Sequence, residues 1–544
     1  MIQGEKRKGA CLMNKKELSV SYTFLKKCAL IFISLPLLCF FLGWLKWYWA
    51  VLSCLALALC FLLSDENGFL SRKLFKKNAG KKLEESAKLV ISKKDLILIV
   101  LISAVFLIFC GIGRLWAQTD DCLWRNAIFR DMITHRWPVI YDRYDGALSY
   151  YIGAWLPAAF IGKLAYLFGA GTEAAFCVGN ISFLIYYTFG MSILFLLLLS
   201  FFKTAKTEHI FLIVLGFIFF SGMDFAGNQF RVDSDQIEWW ARTFQYSSFT
   251  TCMCWVYNQA LIPWICTALL LHEKKVSDYV FIGMACLFAG PFPFIGYFVY
   301  CVALGIKRLV LMLKAKQGKE FAKEVFSISN ICSILFIFPV VAAFLTSNTY
   351  MSSQDSGEPV FLPPTWCYEN YVLYFLFLLI EFGIYALLIA KPNKKNYLFY
   401  VTVIQLILYP LFNVGIHSDL TMRASIPAVF VMYALCYQYI LDNPVLAPET
   451  GSSKAKKQSI SSRLNILSVT LILCLLIGTV TPGVEFARGI SRVRERGIND
   501  KLTDYVGTLD QDTNGAPYES DWPPTNFVAI GYDDILFFKV FARR

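Results

Sequence analysis

A chain of 544 residues that is 57% hydrophobic and only 17% charged is neither an ordinary soluble domain nor a disordered segment. Its net charge of +12 asks for no nucleic-acid partner, because the basic residues sit in short runs between apolar blocks, as membrane-flanking charge does. Most of the 17 Cys lie inside those blocks, where Cys behaves as a small hydrophobe, and no CxxC pair occurs.

The blocks are near membrane-spanning length and predict an all-α, polytopic integral membrane protein. In chain order, spans are expected at 23–43, 47–64, 95–114, 175–202, 210–222, 248–271, 328–347, 369–390, 397–413, 425–442 and 465–482. The block 277–306 is too long for one span. Pro291 and Pro293 divide it into two short helices, which brings the total to about thirteen. The first block is not a cleaved signal, because its leading region is long and no small-residue pattern follows Phe41.

Most Lys and Arg fall in 1–27, 65–94, 203–209, 272–275, 307–324, 391–395 and 443–463. The positive-inside rule puts these segments and the amino terminus in the cytoplasm, and the carboxyl terminus outside. The expected division is a membrane domain over 1–482 and an extracytoplasmic tail over 483–544 that caps it. No cytoplasmic loop is long enough for a nucleotide-binding module, and neither GxxxxGK[ST] nor GxGxxG occurs. Chemistry therefore belongs within the membrane or beyond it.

The first large outer loop, 115–174, opens with Thr119-Asp120-Asp121-Cys122-Leu123-Trp124-Arg125. Helical spacing runs from Asp121 to Trp137. Trp124, Ala127, Ile128 and Met132 form an apolar stripe, and Arg125, Arg130, Asp131 and His135 are the polar remainder. Such a helix lies along the membrane plane. The stretch Tyr150 to Gly169, with Pro157 and Lys163, reads as interfacial or re-entrant, since a full crossing would put Lys203 and Lys206 outside. Asp120 and Asp121 admit two readings. A carboxylate in reach of an acceptor hydroxyl is the simplest general base, and a carboxylate at a helix start is a cap. Neighbours on a helix point about 100° apart, so one can cap while the other faces a cavity.

In the short outer loop 414–424, His417, Asp419 and Arg423 cluster next to the membrane. Arg423 suits a lipid phosphate, which a guanidinium grips as a fork, or it pairs with Asp419. Arg143, in Tyr141-Asp142-Arg143-Tyr144-Asp145, is a second phosphate candidate. Trp124, Tyr144, Trp239 and Trp240 are sugar-stacking rings or interfacial anchors. Glu381, inside the 369–390 span, is either functional or hydrogen-bonded to Tyr374, Tyr385 or another helix. Cys122 and Cys367 lie on the same side, as a pair or as two free thiols. Cys252-Met253-Cys254 lacks the His neighbours of a metal site. Asp510-Gln511-Asp512-Thr513-Asn514-Gly515, with Asp521 at the twelfth position, resembles a calcium loop, but Pro517 and Pro523-Pro524 favour a plain turn.

The topology, an inside amino terminus and acidic residues early in the first outer loop resemble the GT-C glycosyltransferases. That superfamily includes the bacterial polyprenyl-phosphate-dependent mannosyl- and aminoarabinose-transferase types. The residues that carry the resemblance are Gln118-Thr119-Asp120-Asp121-Cys122-Leu123-Trp124, with His135-Arg136-Trp137-Pro138 behind them. The resemblance implies a GT-C-like fold with interfacial helices in the first outer loop. It also implies that Asp120 or Asp121 acts as the base or helps to hold a divalent metal. The separate soluble domain of some members is absent from this sequence.

The expected function is transfer of a sugar from a polyprenyl-phosphate donor to an extracytoplasmic glycan or lipid acceptor. Asp120 and Asp121 are the candidate catalytic residues, and Arg423, Arg143, His135, Asp419, His417 and Trp124 are the candidate substrate-binding residues. No cofactor is required by the residues themselves, and a divalent metal is left open. The alternative is a transporter or flippase for a lipid-linked or amphiphilic solute, which would show broken helices at matching positions. Only one such break, within 277–306, is visible. A third option, a glycan polymerase or ligase, would rely on outer-loop Arg and His instead.

Overall fold

The structure, a computed structural model, describes residues 17–64, 88–142, 145–230, 236–242, 244–348, 360–361, 368–414, 419–448, 462–497, 507–510 and 526–543. Helices dominate it, and strands occur only as short pairings. Among the described residues, six helices are long and apolar enough to cross a membrane: Tyr22–Trp44, Thr172–Phe202, Pro291–Lys314, Gly318–Leu345, Glu369–Ile389 and Ile466–Arg496. The bent pair Phe249–Trp255 and Tyr257–His272 makes a seventh if it counts as one span. The outer surface carries Phe24, Leu42, Leu55, Ile185, Phe375 and Leu387, the reverse of a soluble surface. The chain is a mostly helical membrane protein.

The other expected spans are helices at the expected places, but short: Trp47–Leu63, Lys93–Phe109, Thr207–Ile218, Tyr279–Ala289, Tyr397–Leu408 and Ile426–Asp442. At 1.5 Å per residue they rise only about 16 to 26 Å, less than the roughly 30 Å of a bilayer core. Thirteen full crossings are therefore not what these lengths provide.

Three elements differ from expectation. The block 248–271 is two helices bent by 115°. The block 277–306 does break, at Gly290, but its second half, Pro291–Lys314, is a full-length helix of 24 residues. The last span does not stop at 482. Its helix Ile466–Gly478 runs on through Val480–Arg496. Helix starts follow ordinary capping: the Ser21 hydroxyl accepts from Phe24 N–H, and that of Ser92 from Asp95 N–H.

Two groups of contacts between distant segments stand out. In one, strand Glu17–Ser21 pairs antiparallel with Lys88–Ser92. Lys26 bridges Glu273 at 2.8 Å and Asp278 at 2.7 Å, and Thr207 Oγ1 donates to Asp95 at 3.2 Å. In the other group, Gly146–Leu148 pairs with both Ile140–Tyr141 and Val528–Ile530, and Val360–Phe361 pairs with Phe412–Asn413. The first group joins the basic segments to each other. The second joins the first large loop to the chain end and the 348–368 segment to the 414–424 segment.

The carboxyl-terminal segment packs against the first helix and the helix Phe338–Leu345. Phe537 is fully buried against Phe40 and Phe344, with ring centroids 5.8 and 5.1 Å away. Lys46 N–H donates to Phe541 C=O at 2.8 Å, and Arg543 N–H to Trp44 C=O at 2.9 Å. The two ends of the described chain thus share one aromatic core with Phe288 and Trp137.

Candidate functional site

The first-loop helix is Cys122–Thr134, within the expected range. Half of its polar remainder is turned away from water. Arg125 is 6% exposed and Asp131 is fully buried, while Arg130 and His135 are half-buried, so most of the helix is enclosed by protein. The reason is tertiary: Leu509 and the helices Leu156–Leu167 and Thr172–Phe202 close over it. Asp131 Oδ2 accepts from Leu509 N–H at 2.9 Å and Tyr141 O–H at 3.0 Å, and burial pushes its carboxyl up to about 7.

Asp120 and Asp121 precede this helix and stay in water, with side chains 61% and 55% exposed. Neither is a cap: Asp121 stands at the N-cap position without a side-chain capping bond. Asp121 pairs instead with Arg125, one turn on, at 3.1 Å. Asp120 pairs with Arg492 at 3.3 Å, and Arg492 also donates to Gln118 C=O at 2.5 Å. Arg492 was not among the sequence candidates. Its signal was the spacing Arg488, Arg492, Arg496, one basic face of a helix that extends past the last span.

The loop is held from beneath by the short helix Phe249–Trp255. Thr119 Oγ1 donates to Cys254 C=O at 3.4 Å. At the helix start, Ser248 N–H donates to Glu238 Oε1 at 2.9 Å. Trp255 Nε1 donates to Glu485 Oε2 at 3.1 Å. The first loop, the 223–247 segment and the chain-end helix thus converge on one two-turn helix.

Other candidates are scattered. Arg423 pairs with Asp419 at 3.1 Å, the pairing alternative, and its Nε is buried without a partner. Trp124 is half-buried, its ring centroid 5.9 Å from Phe527. His135 ends the first-loop helix, about 20 Å from Asp121 by helix rise. Its Nδ1 is 3.8 Å from Asp131 Oδ1, too far for a hydrogen bond, and burial lowers its imidazole. Arg143, Tyr144, His417, Cys367 and residues 511–525 of the calcium-like segment lie outside the described residues.

Glu381 does have a hydrogen bond, but not to a tyrosine. Its Oε1 accepts from Trp240 Nε1 at 2.9 Å, and its carboxyl meets that of Asp224. Tyr374 and Tyr385 donate to backbone carbonyls instead. Trp240 is 1% exposed, a packing and hydrogen-bonding residue rather than a sugar platform. Asp224 also accepts from Ser221 and Thr481, each at 2.8 Å, and burial raises its carboxyl. Burial likewise raises Glu238, and the charge of Asp224 adds to it.

A divalent metal does not fit the donor set at the acidic pair, because each carboxylate faces an arginine. Among the described residues, no three His, Cys, Asp or Glu are grouped so as to hold one.

No protein-family model, no curated protein and no solved structure matches the chain.

Proposed function

We propose that this protein is a membrane glycosyltransferase of the GT-C type, moving a sugar from a polyprenyl-phosphate donor to a glycan or lipid acceptor on the extracytoplasmic face. One observation carries the reading: two adjacent carboxylates stay more than half exposed at the edge of a membrane domain, cap nothing, and are each held by an arginine. Carboxylate beside guanidinium is what the reaction needs. Asp120 or Asp121 takes the proton of the acceptor hydroxyl, whose oxygen bonds to the anomeric carbon. The bond from that carbon to the phosphate oxygen breaks, and its electron pair leaves with the polyprenyl phosphate. Arg492, with Arg125 behind it, neutralises the phosphate as it gains charge. Arg423, whose guanidinium pairs with Asp419, is a further candidate for the donor phosphate.

Asp120→Asn and Asp121→Asn, made singly, test this. Loss of a general base lowers turnover on the order of a hundredfold or more. The surface glycan should shrink and its lipid-linked sugar donor accumulate in at least one variant. Unchanged glycan in both, at normal protein level, rejects the base assignment.

A transporter or flippase for a lipid-linked solute has one specific observation in its favour. A second helix break, at 256–260, exists and lies against the first: a Cβ on Gly290 would stand 2.9 Å from Gln259 Oε1. Movement of a lipid-linked sugar by purified protein in liposomes, without sugar transfer, would favour that reading.

A further inference from the structure

Glu381 lies within the helix Glu369–Ile389, in one turn of π-helix, Leu379–Gly383, a widening that recurs at functional sites. It is 4% exposed, and its carboxyl is within hydrogen-bond reach of that of Asp224, 1% exposed, at the start of the helix Asp224–Asn228. Three elements clamp this contact. From the π-helical turn, Ile380 C=O accepts from Met223 N–H at 3.4 Å, and one residue past that turn's end Tyr385 O–H donates to Ser221 C=O at 3.0 Å. From the chain-end helix, Thr481 Oγ1 donates to Asp224 Oδ2 at 2.8 Å, and a Cβ added to Gly478 would stand 2.8 Å from Ser221 C=O.

An ionised carboxylate can only accept hydrogen bonds. Asp224 Oδ2 accepts from Ser221 and Thr481, and Glu381 Oε1 from Trp240. Glu381 Oε2 accepts from nothing among the described residues. Nor, among the described residues, does a Lys, Arg or His pair with either carboxyl; Arg488, on the helix of Thr481, is held by Glu485 at 2.7 Å. Two buried like charges in contact, with no cation beside them, do not both persist. A proton on Glu381 Oε2 removes the conflict, because the acid then donates to the Asp224 carboxylate. The other titratable groups around the pair are already engaged. Tyr246 and Tyr385 donate to backbone carbonyls, and Glu238 accepts from Ser248 N–H and Gln245 Nε2. A metal ion has no room: a Cβ on Gly222 would stand 1.8 Å from Glu381 Oε2, so that oxygen already rests on the turn. We propose that the Asp224–Glu381 pair is a proton-binding site at membrane depth, where one proton, carried by Glu381, is shared between the two carboxyl groups. Ionisable groups inside a membrane domain mark proton pathways and bound cations, and this pair has the chemistry of the first. Through Thr481 the proton also secures the helix that carries Arg492, the partner of Asp120. The site stands whether or not the protein transfers a sugar.

The test is infrared difference spectroscopy of the purified full-length protein in detergent at neutral pH, wild type minus Glu381→Gln. The amide keeps an oxygen for Trp240 and offers Asp224 an N–H in place of the O–H, so this variant should unfold at the wild-type midpoint. The difference should contain the C=O stretch of a protonated carboxyl, and that band should move in heavy water. Asp224→Asn should keep the band but shift it, because the acid loses its charged acceptor; this variant decides the matter if Glu381→Gln does not fold. Absence of the band, with Glu381→Gln folded as the wild type, overturns the proposal. A band that Asp224→Asn leaves unmoved also overturns it, since the proton is then not shared by the pair. Loss of the band when sodium replaces potassium in the buffer assigns the place to a sodium ion instead of a proton.

Discussion

Asp131 shows how far a single residue departs from what its neighbours in the chain suggest. In the sequence it belongs to the water side of an amphipathic helix. In the fold it is fully buried, and its carboxyl is held near 7. The native state therefore binds its proton more tightly than the unfolded chain, whose carboxyl keeps its ordinary value of 3.8. Stability from this group is complete below that value and is lost as pH rises through about 7. Thermal unfolding measured from pH 4 to pH 8 should show a midpoint that falls across this window, and Asp131→Asn should flatten that fall. A slope unchanged by the substitution would assign the pH dependence to other groups. Asp120 and Asp121 were legible because two adjacent carboxylates after an apolar block are conspicuous in any composition. Their arginine partners were less so. Arg125 is a neighbour at i+4, but Arg492 comes from a helix more than 350 residues away, and nothing local pairs it with Asp120.

At the scale of elements, helix positions followed from apolar blocks, while helix lengths and bends did not. An apolar block reports that a segment avoids water, whether it crosses a bilayer whole or in halves. The break at 256–260 had a signal, Asn258-Gln259 in an otherwise apolar run, but a polar pair can equally face another helix. The helix Pro291–Lys314 offers a sharper test of how elements meet. A Cβ added to Gly296 would lie 2.2 Å from Ala424 C=O, in the helix that carries Arg423, whereas one added to Gly305 meets nothing within 4 Å. Gly296→Ala should therefore cost about 1–3 kcal/mol by forcing the two helices apart. Gly305→Ala, in the same helix, should be neutral or stabilise by up to about 1 kcal/mol. Thermal unfolding of both variants in detergent checks the pair. A Gly296→Ala midpoint equal to that of Gly305→Ala would mean the helices do not touch there.

For the molecule as a whole, the decisive feature is that the chain end returns to the chain start. Phe537 fills a space between Phe40 and Phe344, and Val528–Ile530 completes the sheet of the first loop. Phe537→Ala should cost about 3–5 kcal/mol, a loss felt by the entire helical body rather than by the tail alone. The readout is one cooperative unfolding transition shifted to lower temperature. A separate early transition, with the main one unmoved, would show that the tail folds independently. The sequence by itself determined the class, the helical content and the placement of nearly every apolar element, because water avoidance and helical periodicity are properties of short stretches of chain. Only the tertiary structure decided that most of the first-loop helix is enclosed, that the acidic pair is clasped by Arg125 and Arg492, and that Glu381 meets Asp224. Burial and long-range pairing depend on which distant segments come to share a volume, and no local pattern encodes that.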